Sequence, residues 1–293
     1  MPTISNTTDK VFQLRDGRVL AYAEYGDPAG KPVFYFHGLP GSRLQRHPDD
    51  SIATELGAHI VTIDRPGFGL SDFQPGRKLV DWPGDVAQLA YALNIDQFAA
   101  IGLSGGGPYL LACAYNMPER ITSATVISGM GPLDWPGSME GMTPSMRLGI
   151  GIVRRVPWEL VRLAFEPTAR MVHLNPTAAK KLVPNSAPKA DREAFARPEI
   201  QAIDRKDLIE AFRNGARAVY WEIVLLTTPW GFRLEDIHKK IHLWHGDEDT
   251  TVPPNLARYV ARTLPDCEPR FYPGEGHTLM YNYWREILTV ALS

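Results

Sequence analysis

Gly102-Leu103-Ser104-Gly105-Gly106 follows the apolar run Phe98-Ala99-Ala100-Ile101 and precedes Gly107-Pro108 and the apolar stretch Tyr109-Leu110-Leu111-Ala112-Cys113-Ala114-Tyr115. The first run reads as a short buried strand and the last as a helix. A bare G-x-S-x-G match occurs by chance in many turns. Strand before and helix after turn it into a nucleophile elbow. The glycines are required because strand and helix backbones approach closely there, and a Cβ at 102 or 106 would collide. The same geometry forces Ser104 into a strained conformation with its hydroxyl at the carboxyl edge of the strand. A phosphate-loop reading fails, since no G-K-[ST] ends the run and no G-x-G-x-x-G opens a first strand–helix unit.

Outward from the elbow, buried strands alternate with helices. Val11 to Leu14 and Val19 to Tyr25 flank Arg15-Asp16-Gly17-Arg18, a hairpin signal. Val33-Phe34-Tyr35-Phe36 and Ile60-Val61-Thr62-Ile63 are apolar on both faces, as central parallel strands are. They end at His37-Gly38-Leu39-Pro40 and at Asp64-Arg65-Pro66-Gly67-Phe68-Gly69. Residues 51–56 read as a short helix, and residues 82–93 as an amphipathic one with Val86, Leu89, Ala90 and Leu93 on one face. Residues 121–127 form a sixth strand. The pattern then changes: residues 131–236 show helical periodicity, several prolines and no clear strand, with 205–226 the longest helical run. Strand Ile241-His242-Leu243-Trp244, helix 255–264, strand Arg270-Phe271-Tyr272 and helix 281–292 close the chain. The expectation is a doubly wound, mostly parallel α/β sheet. Its core comprises residues 1–130 and 237–293, with a helical cap, 131–236, inserted after the sixth strand. Ligands bind outside the carboxyl ends of such strands, where His37, Asp64 and Ser104 fall.

Composition narrows the function classes. The 293 residues are 44% hydrophobic and 22% charged, ordinary for a globular protein with a real core. A formal net charge of −2 gives no sign of a nucleic-acid or anionic-membrane partner. The two cysteines make no disulfide framework; Cys113 falls on the helix after the elbow and Cys267 in a loop. Residues 1–10 are polar and carry no apolar leader, so a cytoplasmic location is expected. No stretch approaches the roughly 18 apolar residues of a membrane span. Residues 146–165 come nearest and are interrupted by Arg147, Arg154, Arg155, Arg162 and Pro157.

A serine hydroxyl becomes a nucleophile only when a base takes its proton as it attacks. Histidine suits this, with a reference pKa of about 6.5, and a buried carboxylate fixes its tautomer. The elbow therefore predicts an acid and a histidine further along, each at a strand's carboxyl end. His277, in Gly274-Glu275-Gly276-His277, is the only one of eight histidines placed after the last strand. Asp247, Glu248 and Asp249 crowd one turn after the strand 241–244. Asp249, farther from the strand end, is preferred as the acid; Asp247 is read as capping the turn, and Asp134, after the preceding strand, is a rival. The oxyanion needs two N–H donors, each worth about 2.7–4 kcal/mol. Gly105 supplies one. Pro40 has no N–H, so the other comes from Leu39, or from Gly38 if the loop bends otherwise. His37, Trp135 and Trp230 are candidate pocket residues. A metal site from His242, His245, Asp247 and Asp249 is disfavoured, because positions 242 and 245 point to opposite faces of a strand. Neither a metal nor a cofactor is expected.

With these residues in place the chain resembles the α/β-hydrolase-fold serine hydrolases with a helical cap, over nearly its whole length. His37-Gly38, the Asp64 to Gly69 block, the Ser104 elbow, the His245 to Pro253 block and Gly276-His277 fall where that family's motifs fall. The resemblance implies that Asp249 is the acid. Ser104 argues against the family's dehalogenases and epoxide hydrolases, which use an aspartate there. An esterase acting on a small, largely apolar carboxylic ester is the reading favoured by the methionine- and tryptophan-rich cap. The alternatives are an amidase or iminopeptidase, a carbon–carbon bond hydrolase, a thioesterase, a perhydrolase, or a non-catalytic ligand receptor on the same fold.

Overall fold

The computed structural model describes residues 8–174 and 187–293. The stretch 1–7, read above as lacking an apolar leader, lies outside the described residues. Eight strands form one sheet in the order β1-β2-β4-β3-β5-β6-β7-β8. β1 (Lys10–Gln13) and β2 (Val19–Gly26) make the hairpin, with Gly17 at φ +90° in its turn. β2 runs antiparallel to β4 (Ala58–Ile63). From β4 onward every pair is parallel, through β3 (Lys31–Phe36), β5 (Phe98–Leu103), β6 (Ile121–Ile127), β7 (Ile241–Gly246) and β8 (Cys267–Tyr272).

The alternation of side chains along each strand divides the core into two layers. Phe34 and Phe36 face α2 (Trp82–Ala92) and α3 (Gly107–Asn116), where Trp82, Leu89 and Leu110 meet them. α9 (Pro254–Thr263) covers the same face further along, through Ala257 and Val260. Val33 and Tyr35 point the other way, towards α1 (Ser51–Glu55) and α10 (Met280–Ala291), packing with Ala53, Trp284 and Leu288. The chain winds from β3 outward to β4, then crosses back to β5. The loops leaving β3 and β5 therefore diverge at a switch point, and a crevice opens between them.

Between β6 and β7 the described residues form helices and no strand: α4 (Pro144–Val153), α5 (Trp158–Leu174), α6 (Lys189–Ala196), α7 (Pro198–Ala211) and α8 (Arg217–Thr227). The stretch 205–226, expected as one helix, is broken. α7 stops at Ala211, and the chain turns through Gly215 at φ +79°, a conformation costly for a residue with a Cβ. α5, with 17 residues, is the longest described helix. Cys267 is not in a loop as expected but opens β8, paired with Ile241. Cys113 is fully buried on α3. No described helix is long and apolar enough to cross a membrane.

Candidate active site

Ser104 sits on the turn joining β5 to α3 at φ +52°, in the left-handed region that non-glycine residues occupy only under constraint. The constraint is visible in its neighbours. A Cβ on Gly102 would stand 2.6 Å from the Gly106 carbonyl oxygen, and one on Gly106 would overlap the Phe36 carbonyl. Only glycine at both positions lets the elbow close.

Two further loops bring their side chains to the Ser104 hydroxyl. Ser104 Oγ lies 3.0 Å from His277 Nε2, and His277 Nδ1 lies 2.8 Å from Asp249 Oδ2. Burial acts to raise the Asp249 pKa, but the His277 charge and hydrogen bond, with His245 and the Val252 N–H adding, hold it below the ordinary carboxylate value. Asp249 is thus an acceptor, Nδ1 carries the proton and donates to it, and Nε2 is left to accept from Ser104. Burial acts to lower the His277 pKa. The Asp249 carboxylate, the hydrogen bond to it and the charge of Asp191 overcome burial and raise the value.

Asp249 also performs the backbone bonding that had been expected of Asp247. Its Oδ1 accepts from Thr251 and Val252 N–H at 2.8 Å each, which fixes the carboxylate relative to the strand end. Asp247 instead pairs with Arg258 at 3.0 Å, half exposed. Asp134 lines a separate cavity with Trp230, away from Ser104. His245 is fully buried, donates to the Val252 carbonyl at 2.9 Å and lies 3.5 Å from Asp249 Oδ2; burial lowers its pKa. It braces the acid's turn.

The loop after β3 faces the elbow. The Leu39 backbone nitrogen would be 3.5 Å from a Cβ built on Gly105, so the two backbones face each other across a narrow gap. Gly38 N–H donates to Gln45 Oε1 at 2.6 Å and is committed there. Leu39 N–H therefore accompanies the Gly105 N–H, which lies in the first turn of a helix and lacks an intrahelical acceptor. Behind this loop Arg65, fully buried, donates to the carbonyls of His37 and Gly38 and to Glu222 of α8. Glu222 also binds Arg77 and the Tyr109 hydroxyl. Burial acts to raise its pKa, and the Arg65 and Arg77 charges with these hydrogen bonds hold it low.

Ser104 opens into a cavity of about 560 Å³ lined by Leu39, Gly105, Met130, Met146, Ile150, Val153, Val161, Phe165, Ile223, Leu226 and others. The three candidate pocket residues do not line it. His37 is fully buried, with Nδ1 2.8 Å from the Gly38 carbonyl and Nε2 accepting from Arg65 N–H; burial, then the Arg65 charge, push its pKa far down. Trp135 donates to Pro132 O and stacks on Tyr259 at 4.2 Å. Trp230 donates to Leu226 O and packs beside Phe232. Each indole N–H bonds a carbonyl within its own segment and each ring packs on another aromatic, so both serve packing.

Sequence reading missed Asp191. This buried residue of α6 accepts from His277 N–H at 3.0 Å, Thr278 N–H at 2.9 Å and Thr278 Oγ1 at 2.7 Å. A Cβ on Gly276 would overlap its carboxylate, so the glycine before His277 is what admits it. The one signal in the sequence was that glycine.

A family model described as alpha/beta hydrolase fold matches residues 31–282. Curated relatives include a non-heme chloroperoxidase of Streptomyces lividans, 32% identical over 121 residues, which are 40% of this chain and 44% of that protein. A proline iminopeptidase of Xylella fastidiosa (strain 9a5c) is 31% identical over 131 residues, 41% of this chain and 39% of that one. The matches thus span about two fifths of those relatives. Among solved structures, a bromoperoxidase from Bacillus anthracis superposes with a TM-score of 0.69 at 18% identity, covering 97% of this chain and 99% of that one. A hydrolase from Pseudomonas aeruginosa PA01 gives 0.68 at 18% identity, covering 99% of this chain and 100% of that one. These likenesses agree with the sheet order and elbow described above: the chain belongs to the alpha/beta hydrolase fold family.

Proposed function

We propose that this protein is a serine hydrolase acting on a carboxylic ester with a largely apolar body, through an acyl-enzyme intermediate. The observation that carries the reading is the unbroken line Ser104 Oγ–His277–Asp249, with distances of 3.0 and 2.8 Å, opening onto an apolar cavity. Ser104 attacks the ester carbonyl as its proton passes to His277 Nε2, and the imidazolium is stabilised by Asp249. The carbonyl oxygen becomes an oxyanion held by the Leu39 and Gly105 N–H groups. Collapse of the tetrahedral species expels the alcohol, which takes the proton from Nε2. Water then enters, gives its proton to Nε2 and attacks the acyl-enzyme; the second collapse releases the acid and returns the proton to Ser104 Oγ.

The helices between β6 and β7 act in this reading as a cap, residues 131–236, closing the cavity over the elbow. A pure ligand receptor needs no aligned proton path, and the hydrogen-bonded line disfavours it.

Ser104→Ala is expected to lower kcat by on the order of 10⁴-fold or more while leaving the thermal midpoint nearly unchanged. Asp249→Asn, which puts an NH₂ against Nδ1–H, should lower kcat by about 10⁴-fold through the wrong tautomer. Asp134→Asn should leave it within a factor of two or so, the group being in another cavity. Steady-state kinetics on simple esters decide both, and equal losses at 249 and 134 would remove the assignment of the acid.

A further inference from the structure

Ser104 and Leu39 border two cavities of unlike size and chemistry. The larger, about 560 Å³, is walled by Ile150, Val153, Val161, Phe165, Ile223 and Leu226. Thr227, a polar residue in that wall, donates its hydroxyl to the Ile223 carbonyl at 2.6 Å and so offers the cavity little. The smaller, about 120 Å³, has mixed walls: Gln45, Asp204, His277 and Thr278 border it together with the apolar Leu103, Phe195 and Met280.

His277 lines only the smaller of the two. That asymmetry orients an ester. Three substituents surround the attacked carbon besides Ser104 Oγ. The carbonyl oxygen goes to the Leu39 and Gly105 N–H groups. The alcohol oxygen must come within about 2.6–3.2 Å of His277 Nε2, because that atom protonates it as it leaves. The alcohol therefore departs on the His277 side, into the small cavity with mixed walls. The acyl chain takes the remaining direction, past Gly105 into the large apolar one.

We propose, resting on the serine hydrolase reading above, that the substrates are esters of medium-to-long apolar carboxylic acids with small alcohols. The chain length is read on the acyl side. Each methylene added there, until the cavity is filled, raises kcat/KM by about fourfold, the equivalent of the ~0.8 kcal/mol of a buried CH₂. Methylenes added on the alcohol side outgrow the small cavity after the first few.

The test uses two isomers of one formula, methyl nonanoate and octyl acetate, with the purified full chain. Their overall hydrophobicity is similar, so a difference reports which side of the ester the long chain occupies. In parallel, a fluorophosphonate titrates Ser104 by intact mass. The expected result is full labelling of Ser104 and a kcat/KM for methyl nonanoate at least about 10²-fold above that for octyl acetate. Labelling with equal rates, or with octyl acetate faster, overturns the assignment of the cavities and leaves the serine hydrolase reading intact. Labelling with neither ester hydrolysed overturns the ester class proposed here. An unlabelled protein that hydrolyses neither removes the serine hydrolase reading and this inference with it.

Discussion

The helices between β6 and β7 divide into two halves that are held by different forces. α4 and α5 supply most of the apolar wall of the large cavity, with Ile223 and Leu226 of α8 completing it, and Leu148, Leu163 and Leu174 on them are exposed. α6, α7 and α8 each send a buried carboxylate down to a loop at the sheet's edge. Asp191 holds the His277 loop, Glu222 holds Arg65 behind the β3 loop, and Glu210 holds Arg43, which also pairs with Asp64 after β4. Asp207 adds hydrogen bonds to Ser42 N–H at 2.7 Å and to its hydroxyl at 2.6 Å. Ionic anchors are directional, and removing one partner leaves the other charge buried. Apolar contacts are not directional and tolerate sliding and repacking. α6, α7 and α8 therefore fix the loops around Ser104 and His277, while α4 and α5 are held by contacts that tolerate repacking.

Substitutions on the two halves should therefore differ in what they cost. The largest stability effect is expected at Glu222. Glu222→Gln leaves Arg65 and Arg77 buried without a counter-charge and should cost about 3–5 kcal/mol in denaturant unfolding. A loss comparable to a surface change would mean that α8 is held by its apolar face instead.

Asp191→Asn should reduce activity more than stability. Its Oδ1 can still accept from Thr278, but an NH₂ then faces His277 N–H. A displacement of His277 of the order of 1 Å is worth up to about 10²-fold in kcat. The variant also carries a signature that packing alone would not give. His277 must be neutral to act as base, and its pKa is raised in part by the Asp191 charge. For the parent protein, kcat/KM should fall as pH drops through a value above 6.5, the ordinary imidazole pKa. In Asp191→Asn that acid limb should move to lower pH. An unmoved limb would make Asp191 a structural strut with no electrostatic reach.

The smallest effect belongs to the outer face of the first half. Leu163→Gln on α5, 70% exposed, should change stability by no more than about 0.5 kcal/mol. A loss of several times that would show that the exposed face of α5 is already packed against something.

The division also explains what could be read from the chain. Parallel strands buried on both faces leave continuous apolar runs, and their carboxyl ends carry the loops that matter. The expectations for Ser104, Gly105 and His277 therefore came from position, whereas Asp249 kept Asp134 and Asp247 as rivals until the family resemblance favoured it, and Leu39 kept Gly38 as an alternative. The helical segment was not. Amphipathic periodicity shows that a face is buried, not against what, so Trp135 and Trp230 could not be told from cavity wall. Its ionic anchors were hidden for a related reason. Asp191 meets a residue 86 positions away, and a lone carboxylate in a polar helix looks solvated until the loop opposite it is placed. The break at Gly215 lay inside a run whose apolar spacing continued across it. His37 stood beside a motif glycine but turned inward to bind Gly38 and Arg65.

The central claim is that Ser104 is an activated nucleophile. Incubating the purified protein and its Ser104→Ala variant with a fluorophosphonate, then measuring intact mass, tests it most directly. One covalent adduct per chain is expected in the parent protein and none in the variant. A parent protein that stays unlabelled, or a variant that labels equally, would contradict it.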